Sequence, residues 1–429
     1  MKVKLDYDKK SLTVEIPQKN LIKIFRMRDS PLLSHPFHIL KEKALHPINS
    51  SGLDKLASDS KTACLVISDK TRPVPNKLIL PPLLNILENS GIKRENITLL
   101  IATGLHSPTE GKDLLEFLGE KIIRNYRIIN HQARNEKNHV FLGETKKGTP
   151  IFVNKVYHHS HLRILTGLIE PHFMTGFSGG RKSICPGIVS WKTIKVHHSP
   201  EFLESPFSRP GILEGNPCHE EALEIAKKAG VDFIVNITLN KEKQVTGIFA
   251  GGLESAWLSG VKFCQEQGSD FLEEEVDLVI TSGGGYPLDC NFYQTVKGLV
   301  GALEIVKKGG IIIIASGCRD GIGSLHFKKL LQEMKSPQKF LEMIKGQNYF
   351  SPDQWEVEEL VKVLKKAKVK IYSAGLREKE IEKPWLSLIP SVERGIEEAL
   401  KEYGQKMKIA VVPQGPYLLA KLKGRKKNV

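Results

Sequence analysis

A lysine stands at the end of a glycine-rich turn in residues 172–187, HFMTGFSGGRKSICPG. The turn is close to the phosphate-binding pattern G-x-x-x-x-G-K-[ST], in which Gly176, Lys182 and Ser183 occupy the expected places. Arg181 replaces the glycine before the lysine, and a side chain there obstructs the approach of a phosphate group. The turn therefore argues against an ATPase site. Such a lysine can also act as a point charge, or as a nucleophile when its pKa is lowered.

Two histidines follow predicted strands. His106 comes after the strand predicted at 96–104, and His172 comes after the strand predicted at 162–167. Imidazole titrates near neutral pH, so both are candidates for proton transfer. A lone histidine at such a place would be interpreted as a loop or capping residue. Two at matching topological positions favour an acid–base role.

Two cations are suited to an anionic ligand. Arg72, in SDKTRPVP, can bind a carboxylate through two hydrogen bonds, or can form a surface ion pair with Asp69. Lys297 shares a helix face with Tyr293 and Gln294 through its i+4 and i+3 spacing, or is a solvated helix lysine. We expect Arg72 and Lys297 to hold an anion together.

Metal-binding patterns are few. Either His197 or His198 could bind a metal, whereas HHSH at 158–161 lies in a polar loop and is interpreted as surface. HEEAL at 219–223 begins like a zinc-protease helix but has Leu223 in place of the second histidine. The dinucleotide-binding pattern G-x-G-x-x-G is absent from the sequence. The six cysteines are scattered without a C-x-x-C pair, which favours reduced thiols.

Apolar strand patterns alternate with helical ones along the chain, which predicts an α/β fold with mostly parallel sheets. In open sheets of this kind, ligands bind beyond the carboxyl ends of the strands, where the charged residues above recur. We also expect a helix that begins with Ser107 as its N-cap and Glu110 closing a capping box.

Two domains are expected, with a boundary near residue 272 and a cofactor and substrate cleft between them. Residues 1–272 would carry the lysine turn and both histidines, and residues 273–415 would complete the substrate site. Residues 416–429 form a basic tail, which we expect to be disordered or solvated.

Composition narrows the possible partners. The chain has 429 residues and a formal net charge of +15, with 40% hydrophobic and 26% charged residues, as in an ordinary globular protein. No apolar stretch approaches the roughly 18 residues of a membrane helix, and no signal peptide is recognisable, so we expect a cytoplasmic protein. The basic residues do not cluster beside a helix or strand that could read bases in a groove, which argues against nucleic-acid binding. The positive charge suits a small anionic ligand.

The motifs taken together resemble the nickel-pincer-dependent lactate racemase family. SDKTRPVP, ATGLH, EPHFMTGFSGGRKSICPG, the following HH and YQTVKG lie in the family's order between residues 68 and 298, and DQWEVEE (353–359) extends the likeness. The resemblance covers most of the chain. The stretch around the lysine is its most specific part.

The resemblance implies a cofactor. In the family, a pyridinium mononucleotide is attached to a lysine as a thioamide and holds nickel through carbon and two sulfur atoms. Lys182 corresponds to that lysine, and His198 corresponds to the histidine that completes the nickel ligands. Gly179 and Gly180 would let the backbone approach the nucleotide, and Asp69 would orient Arg72 or a cofactor hydroxyl. Dedicated cofactor-biosynthesis enzymes would be partners of the protein.

The resemblance also implies a hydride relay. A 2-hydroxyacid, most directly lactate, would bind with its carboxylate on Arg72 and Lys297. His106 or His172 would remove the hydroxyl proton while the α-hydrogen leaves as hydride, and the flat 2-oxoacid would receive it on its other face. The remaining pocket walls would be Tyr293, Gln294 and Trp355.

Three alternatives remain at this point. The first is an epimerase or racemase of another 2-hydroxyacid, such as malate or an aldonate, on the same scaffold. The second is a non-catalytic nucleotide-phosphate binder that uses the turn at 176–183. The third is a polyanion-binding protein that uses its basic tail.

Overall fold

The computed structural model describes residues 1–30, 32–346, 349–381 and 383–424. The chain folds into two compact units. The first, here called the lysine unit, comprises Asp29–Glu170 and Met174–Gln267, and the second, the terminal unit, comprises Met1–Arg28, Pro171–Phe173 and Gly268–Val429. Both are α/β with mostly parallel sheets, which confirms the predicted fold class.

The strands are numbered in chain order. They are β1 (Lys2–Tyr7), β2 (Lys10–Glu15), β3 (Leu21–Ile24), β4 (Ala63–Ser68), β5 (Ile97–Ala102), β6 (Arg127–Asn130), β7 (His139–Glu144), β8 (Pro150–Asn154), β9 (Leu162–Leu168), β10 (Pro171–His172), β11 (Gly176–Phe177), β12 (Phe233–Leu239), β13 (Val245–Gly251), β14 (Ser269–Leu272), β15 (Val276–Ser282), β16 (Val306–Ala315), β17 (Ala367–Tyr372), β18 (Leu386–Leu388), β19 (Ile409–Val412) and β20 (Leu419–Leu422).

The α-helices are numbered in the same way. They are α1 (Pro36–Leu45), α2 (Leu53–Ser58), α3 (Asn76–Asn89), α4 (Gly111–Leu118), α5 (Glu120–Asn125), α6 (Lys155–His158), α7 (Trp191–His197), α8 (Pro200–Leu203), α9 (Pro217–Ala229), α10 (Leu253–Gly268), α11 (Phe292–Ala302), α12 (Leu325–Glu333), α13 (Pro337–Ile344), α14 (Gln354–Leu364), α15 (Glu378–Ile381) and α16 (Val392–Tyr403). Within the described ranges, no helix is both long and apolar enough to cross a membrane.

The lysine unit is built on a six-stranded sheet in the order β13-β12-β9-β4-β5-β6. Every pair is parallel except β12 with β13. Strand β4, ACLVIS, lies near the centre with five successive buried residues, because a parallel sheet covered on both faces needs a continuous apolar run. Strands β4, β5 and β9 therefore end at one edge of the sheet, where Asp69, His106 and Glu170 follow them.

The terminal unit contains a second six-stranded sheet, all parallel, in the order β18-β17-β16-β15-β19-β3. Strand β15 leads through a glycine-rich loop to α11, and the Asn291 side chain caps that helix by accepting a hydrogen bond from the Gln294 amide. The cap fixes the start of α11, so Tyr293, Gln294 and Lys297 project from its first two turns.

Two local features differ from the sequence-based expectation. Residues Met1–Arg28 pack in the terminal unit, although they were expected in the first domain, because β3 adds to β19 at the edge of its sheet. Helix α4 begins at Gly111, so the capping box predicted from Ser107 was wrong. The Asn130 side chain accepts from the Thr109 amide and donates to its carbonyl, which holds the preceding segment outside the helix.

The expected basic tail is also partly ordered. Strand β20 pairs in parallel with β14, and Leu418, Leu419 and Ala420 are at least 96% buried. The apolar residues that precede the lysines are buried, so residues 418–422 pack as part of the terminal unit. Residues 425–429, which include three of the five basic residues of the tail, lie outside the described residues.

Removing β20 should destabilise the protein. A chain that ends at Tyr417 loses two buried leucines, each worth about 1.5–3 kcal/mol, so its free energy of unfolding should fall by roughly 3 kcal/mol or more. The matched control ends at Gly424 and keeps β20. Urea unfolding of the two chains makes the comparison, and equal midpoints would show that β20 adds nothing to stability.

Candidate active site

The loop that carries Lys182 is pinned to the end of strand β9. The Glu170 amide donates to the Ser178 hydroxyl at 3.0 Å, and the Ser178 amide donates to the Glu170 carbonyl at 2.9 Å. The Gly180 amide donates to the Asn236 side chain of β12 at 2.8 Å. A short 3-10 turn, Gly180–Ser183, then presents Lys182. Two neighbouring strands of one sheet therefore fix the position of this lysine.

The two glycines before Arg181 are required by the backbone conformation and close packing of the loop. Gly179 and Gly180 have φ angles of 76° and 51°, which side-chain-bearing residues rarely adopt. A Cβ atom on Gly180 would lie 2.9 Å from the ring of Trp257, and one on Gly179 would lie 3.0 Å from Ile169. The expected approach of a cofactor to this backbone stays a prediction. The loop requires both glycines in any case.

Arg181 explains why the phosphate-loop pattern fails at its last glycine. Its side chain is fully buried, with Nε donating to Nδ1 of His219 at 3.0 Å and the two Nη atoms donating to the carbonyls of Gly179 and Thr175. The guanidinium lies 4.0 Å from the ring centre of Trp257, a cation–π contact. Burial lowers the pKa of Arg181 to about 9, so it remains a cation at neutral pH. These contacts of the buried Arg181 side chain hold the loop in its conformation.

Asp69 and His106 form a hydrogen-bonded pair. Oδ2 of Asp69 lies 2.6 Å from Nδ1 of His106, and Oδ1 accepts from the hydroxyl and amide of Thr71. Burial alone would raise the pKa of Asp69, but the neighbouring His106, Arg72 and Thr71 outweigh it and lower that pKa to about 2. Asp69 is therefore an anion at neutral pH and orients His106. The sequence analysis had instead considered Asp69 as a partner of Arg72.

Arg72 is paired with Glu170, a residue that the sequence analysis did not select. The Arg72 Nε and Glu170 Oε1 atoms are 3.2 Å apart, and both side chains are largely buried. Nη1 of Arg72 also donates to the Thr71 hydroxyl at 3.2 Å. The signal for Glu170 was present in the sequence, because it is a charged residue two positions beyond strand β9, as Asp69 is next to β4.

His197 and His198 lie at the end of α7 with their Nδ1 atoms 3.2 Å apart. Burial lowers the pKa of His197 to about 4, and burial, followed by His197 and Lys182, holds the pKa of His198 well below its ordinary value. Both rings are therefore neutral at pH 7. A neutral imidazole is the form that binds a metal, and His198 is close enough to Lys182 to feel its charge.

The donor set fits a cofactor that brings most of its own metal ligands. In the part of the chain that the structure describes, no group of three or more histidine, cysteine, aspartate or glutamate side chains is arranged to hold a metal ion. A cofactor that carried its own metal ligands would need only one more donor from the protein, and the buried, neutral His198 has the form of imidazole that can supply it.

The other predicted residues belong to the terminal unit. Lys297 is buried on α11, donates to Oε1 of Gln294, and places its Nζ atom 5.6 Å from the centre of the Phe173 ring. His172, the residue before Phe173, is 6% exposed, and the two rings lie 4.8 Å apart. The terminal unit thus brings together Lys297, Gln294 and His172, so the expectation that His172 belongs to the first domain with His106 was wrong.

Tyr293 and Trp355 are also brought together within the terminal unit. Nε1 of Trp355, in the first turn of α14, donates to the Tyr293 hydroxyl on α11 at 2.9 Å. The Tyr293 ring meets the Phe327 ring edge-on at 5.3 Å. Helix-to-helix packing therefore fixes both aromatic residues.

This arrangement is that of an α/β enzyme, with an aspartate-oriented histidine and a buried lysine loop at one sheet edge. Residues 7–211 match the family model for the lactate racemase N-terminal domain, and residues 272–419 match the lactate racemase C-terminal domain. The chain belongs to the lactate racemase family. It is accordingly an isomerase of the racemase class.

Two relatives named lactate racemase align with almost the whole chain. The lactate racemase of Thermoanaerobacterium thermosaccharolyticum is 34% identical over 425 residues, and that of Lactiplantibacillus plantarum is 35% identical over 423 residues. Each alignment covers 98% of this chain and 99% of the relative.

Solved structures agree with the fold. The lactate racemase apoprotein from Thermoanaerobacterium thermosaccharolyticum superposes with a TM-score of 0.91 at 34% identity, over 98% of this chain and 100% of that one. A Thermotoga maritima protein shares the fold alone, with a TM-score of 0.71 at 21% identity over 92% of this chain and 100% of its own.

The Asp69–His106 pair should make the free energy of unfolding depend on pH in the acidic range. The pKa of Asp69 falls from 3.8 to about 2 on folding, so its contribution of roughly 2 kcal/mol is complete above pH 4 and is lost as the pH falls toward 2. The gap in unfolding free energy between wild type and Asp69→Asn should therefore narrow by about half from pH 7 to pH 3.

Urea unfolding at the two pH values measures this gap. Asp59→Asn, at an exposed position, is the matched control and should differ little from wild type at either pH. A gap for Asp69→Asn that stays constant with pH would show that the Asp69 carboxylate is not stabilised by its neighbours.

Proposed function

We propose that the protein interconverts the enantiomers of a 2-hydroxyacid, lactate in the first place, with a nickel-pincer nucleotide attached to Lys182. The observation that carries the proposal is the aspartate-oriented His106, which is set in the same unit as Lys182 and the neutral His198. Family membership supplies the reaction class. The relatives named lactate racemase supply the first substrate to test.

The Asp69–His106 contact determines which ring nitrogen acts as the base. Ionised Asp69 can only accept hydrogen bonds, so Nδ1 of His106 must carry the proton that it donates. Nε2 then carries the lone pair and takes the hydroxyl proton of one enantiomer. The proton returns from the same atom when the reaction runs backwards, and Asp69 stabilises the imidazolium in the interval.

His172 is proposed as the base for the other enantiomer. A planar 2-oxoacid can receive hydrogen on either face, and each enantiomer then presents its hydroxyl group to a different side. His172 is buried beside Phe173, and packing of the rings limits the orientations of its imidazole. One base for each enantiomer is the simplest chemistry that accounts for two histidines.

The substrate carboxylate is assigned to Arg72 and Lys297. Arg72 binds Glu170 through Nε, and its planar guanidinium has further N–H groups with which to bind a carboxylate. Lys297 is held by Gln294 and is buried, so its charge is poorly screened and attracts an anion strongly. Tyr293 and Trp355, joined by their hydrogen bond, are proposed as walls of the substrate pocket.

The cofactor would be held covalently by Lys182 and through nickel by His198, with Asp69, Gly179 and Gly180 as further candidates for contact. When bound, it supplies an acceptor for the α-hydrogen and its electron pair, which a protein side chain cannot provide. This proposal also requires partner enzymes that make the cofactor, and we place the reaction in the cytoplasm with them.

Co-expression with a pincer-cofactor pathway tests the proposal. The purified protein should gain a few hundred daltons at Lys182, bind about one nickel per chain, and convert enantiopure lactate to a mixture of both forms. Lys182→Ala should lose the mass gain, because the attachment atom is absent. Lys192→Ala, a partly exposed lysine paired with Glu136, is the matched control and should keep it.

Malate and an aldonate, assayed beside lactate, identify the substrate. If either compound reacts faster than lactate, that compound becomes the assigned substrate, and the proposed reaction class of racemase or epimerase stands. No adduct, no nickel and no racemisation, under conditions that load a relative, would contradict the proposed function.

A further inference from the structure

A backbone hydrogen bond joins the loop of His106 to the loop of Lys182. The Gly104 amide donates to the Gly187 carbonyl at 3.0 Å, and the Gly187 amide donates to the Lys182 carbonyl at 3.2 Å. The His106 amide donates to the Thr103 carbonyl at 2.8 Å, which closes the histidine turn on the residue before Gly104. The proposed base and the proposed attachment lysine are therefore connected through a few backbone groups at this edge of the sheet.

His131, the residue that follows strand β6, is bonded to both loops. Its carbonyl oxygen accepts a hydrogen bond from the Thr103 hydroxyl at 2.6 Å. Its Nε2 atom lies 2.9 Å from the carbonyl oxygen of Val189, in the segment that continues the lysine loop. The residue is 3% exposed, and its own amide donates to the Ile101 carbonyl of β5 at 3.0 Å. One buried residue on the sheet thus holds the start of the His106 loop and the end of the lysine loop.

Asn154 fixes the orientation of the His131 ring. Its Oδ1 atom accepts from the Val156 amide at 3.0 Å and caps α6, which leaves its Nδ2 atom to face the ring. Nδ2 can only donate, and it lies 3.1 Å from Nδ1 of His131, so Nδ1 is an acceptor. Burial lowers the pKa of His131 to about 3, so the ring is neutral at pH 7 and carries its one proton on Nε2. That proton is donated to the Val189 carbonyl.

We propose that His131 is a positioning residue that sets the distance between His106 and Lys182. The catalytic importance of this distance rests on the proposed function, whereas the hydrogen bonds of His131 do not. Without its ring, the Val189 carbonyl and the Asn154 amide would each lose a buried partner. A buried polar group without a partner is costly, so these groups would turn toward other partners and the two loops would move relative to each other.

Amide hydrogen exchange of the protein without cofactor tests the positioning directly. His131→Phe keeps an aromatic ring against His139, whose ring centre is 5.2 Å away, but can neither donate nor accept a hydrogen bond. The amides of residues 104–106 and 187–190 should exchange about 10–100-fold faster, beyond any rise in strands β9 and β12. An equal rise in strands and loops, or no rise in the loops, would overturn the proposal.

Two further variants separate positioning from simple packing. His131→Gln has an amide whose nitrogen can donate to the Val189 carbonyl and whose oxygen can accept from Asn154, so it should restore most of the protection. Tyr157→Phe is the matched control, because it removes a buried hydrogen bond of 2.6 Å to the Gly230 carbonyl in the same unit. It should leave both loops protected, and a loss of protection there equal to that in His131→Phe would overturn the proposal.

Thr103→Val makes the test independent of whether His131→Phe folds. The substitution keeps the branched shape of the side chain and removes the hydroxyl that donates to the His131 carbonyl. The amides of residues 104–106 should then exchange about tenfold faster than in wild type. Wild-type exchange rates at these amides would overturn the proposal.

Lactate racemisation by the cofactor-loaded protein gives the second readout. His131→Phe should lose about 10–100-fold in kcat with little change in KM, because a misplacement of about 1 Å between base and cofactor is enough for such a loss. His131→Gln should recover most of the rate. Wild-type protein that takes up no cofactor and converts no lactate would contradict the proposed function itself. Turnover by wild type with an unchanged kcat in His131→Phe would overturn the positioning role alone.

Discussion

The buried guanidinium of Arg181 is the interaction on which the lysine loop depends. A buried cation needs partners for its N–H groups, and here two loop carbonyls and the His219 ring accept hydrogen bonds while the Trp257 face contacts the guanidinium. Removal of those contacts would leave a buried charge uncompensated, so the loop has one favourable conformation. Lys182, the next residue, is thereby presented in a fixed place, and the same loop is joined to strands β9 and β12.

Much of the fold was predictable because its signals are local. The apolar run at 62–68 predicted a buried strand, found as Ala63–Ser68, and the carboxyl ends of such strands drew attention to Asp69 and His106. Segments whose position depends on long-range strand pairing were harder to predict. The N-terminal segment Met1–Arg28 completes a sheet whose other strands lie more than 250 residues away, and no local pattern indicates that.

Side-chain partners were the least predictable part of the site. Asp69, Arg72 and His106 all lie beyond strands at one sheet edge, but the sequence analysis considered Asp69 only as a partner of Arg72 or of a cofactor hydroxyl. In the tertiary structure, Asp69 contacts His106, and Arg72 forms an ion pair with Glu170. Arg181 is a similar case, because the sequence showed only that a glycine was missing, whereas burial gives the arginine its own structural role.

The central claim of the proposed function is that the α-hydrogen leaves and returns with its electron pair while histidines move only the hydroxyl proton. Racemisation of L-lactate that carries deuterium at C2, in ordinary water and with the cofactor-loaded protein, tests this most directly. The account predicts D-lactate that retains deuterium at C2. D-lactate with hydrogen at C2 would mean that a base removes the α-hydrogen as a proton and exchanges it with water, which contradicts the account.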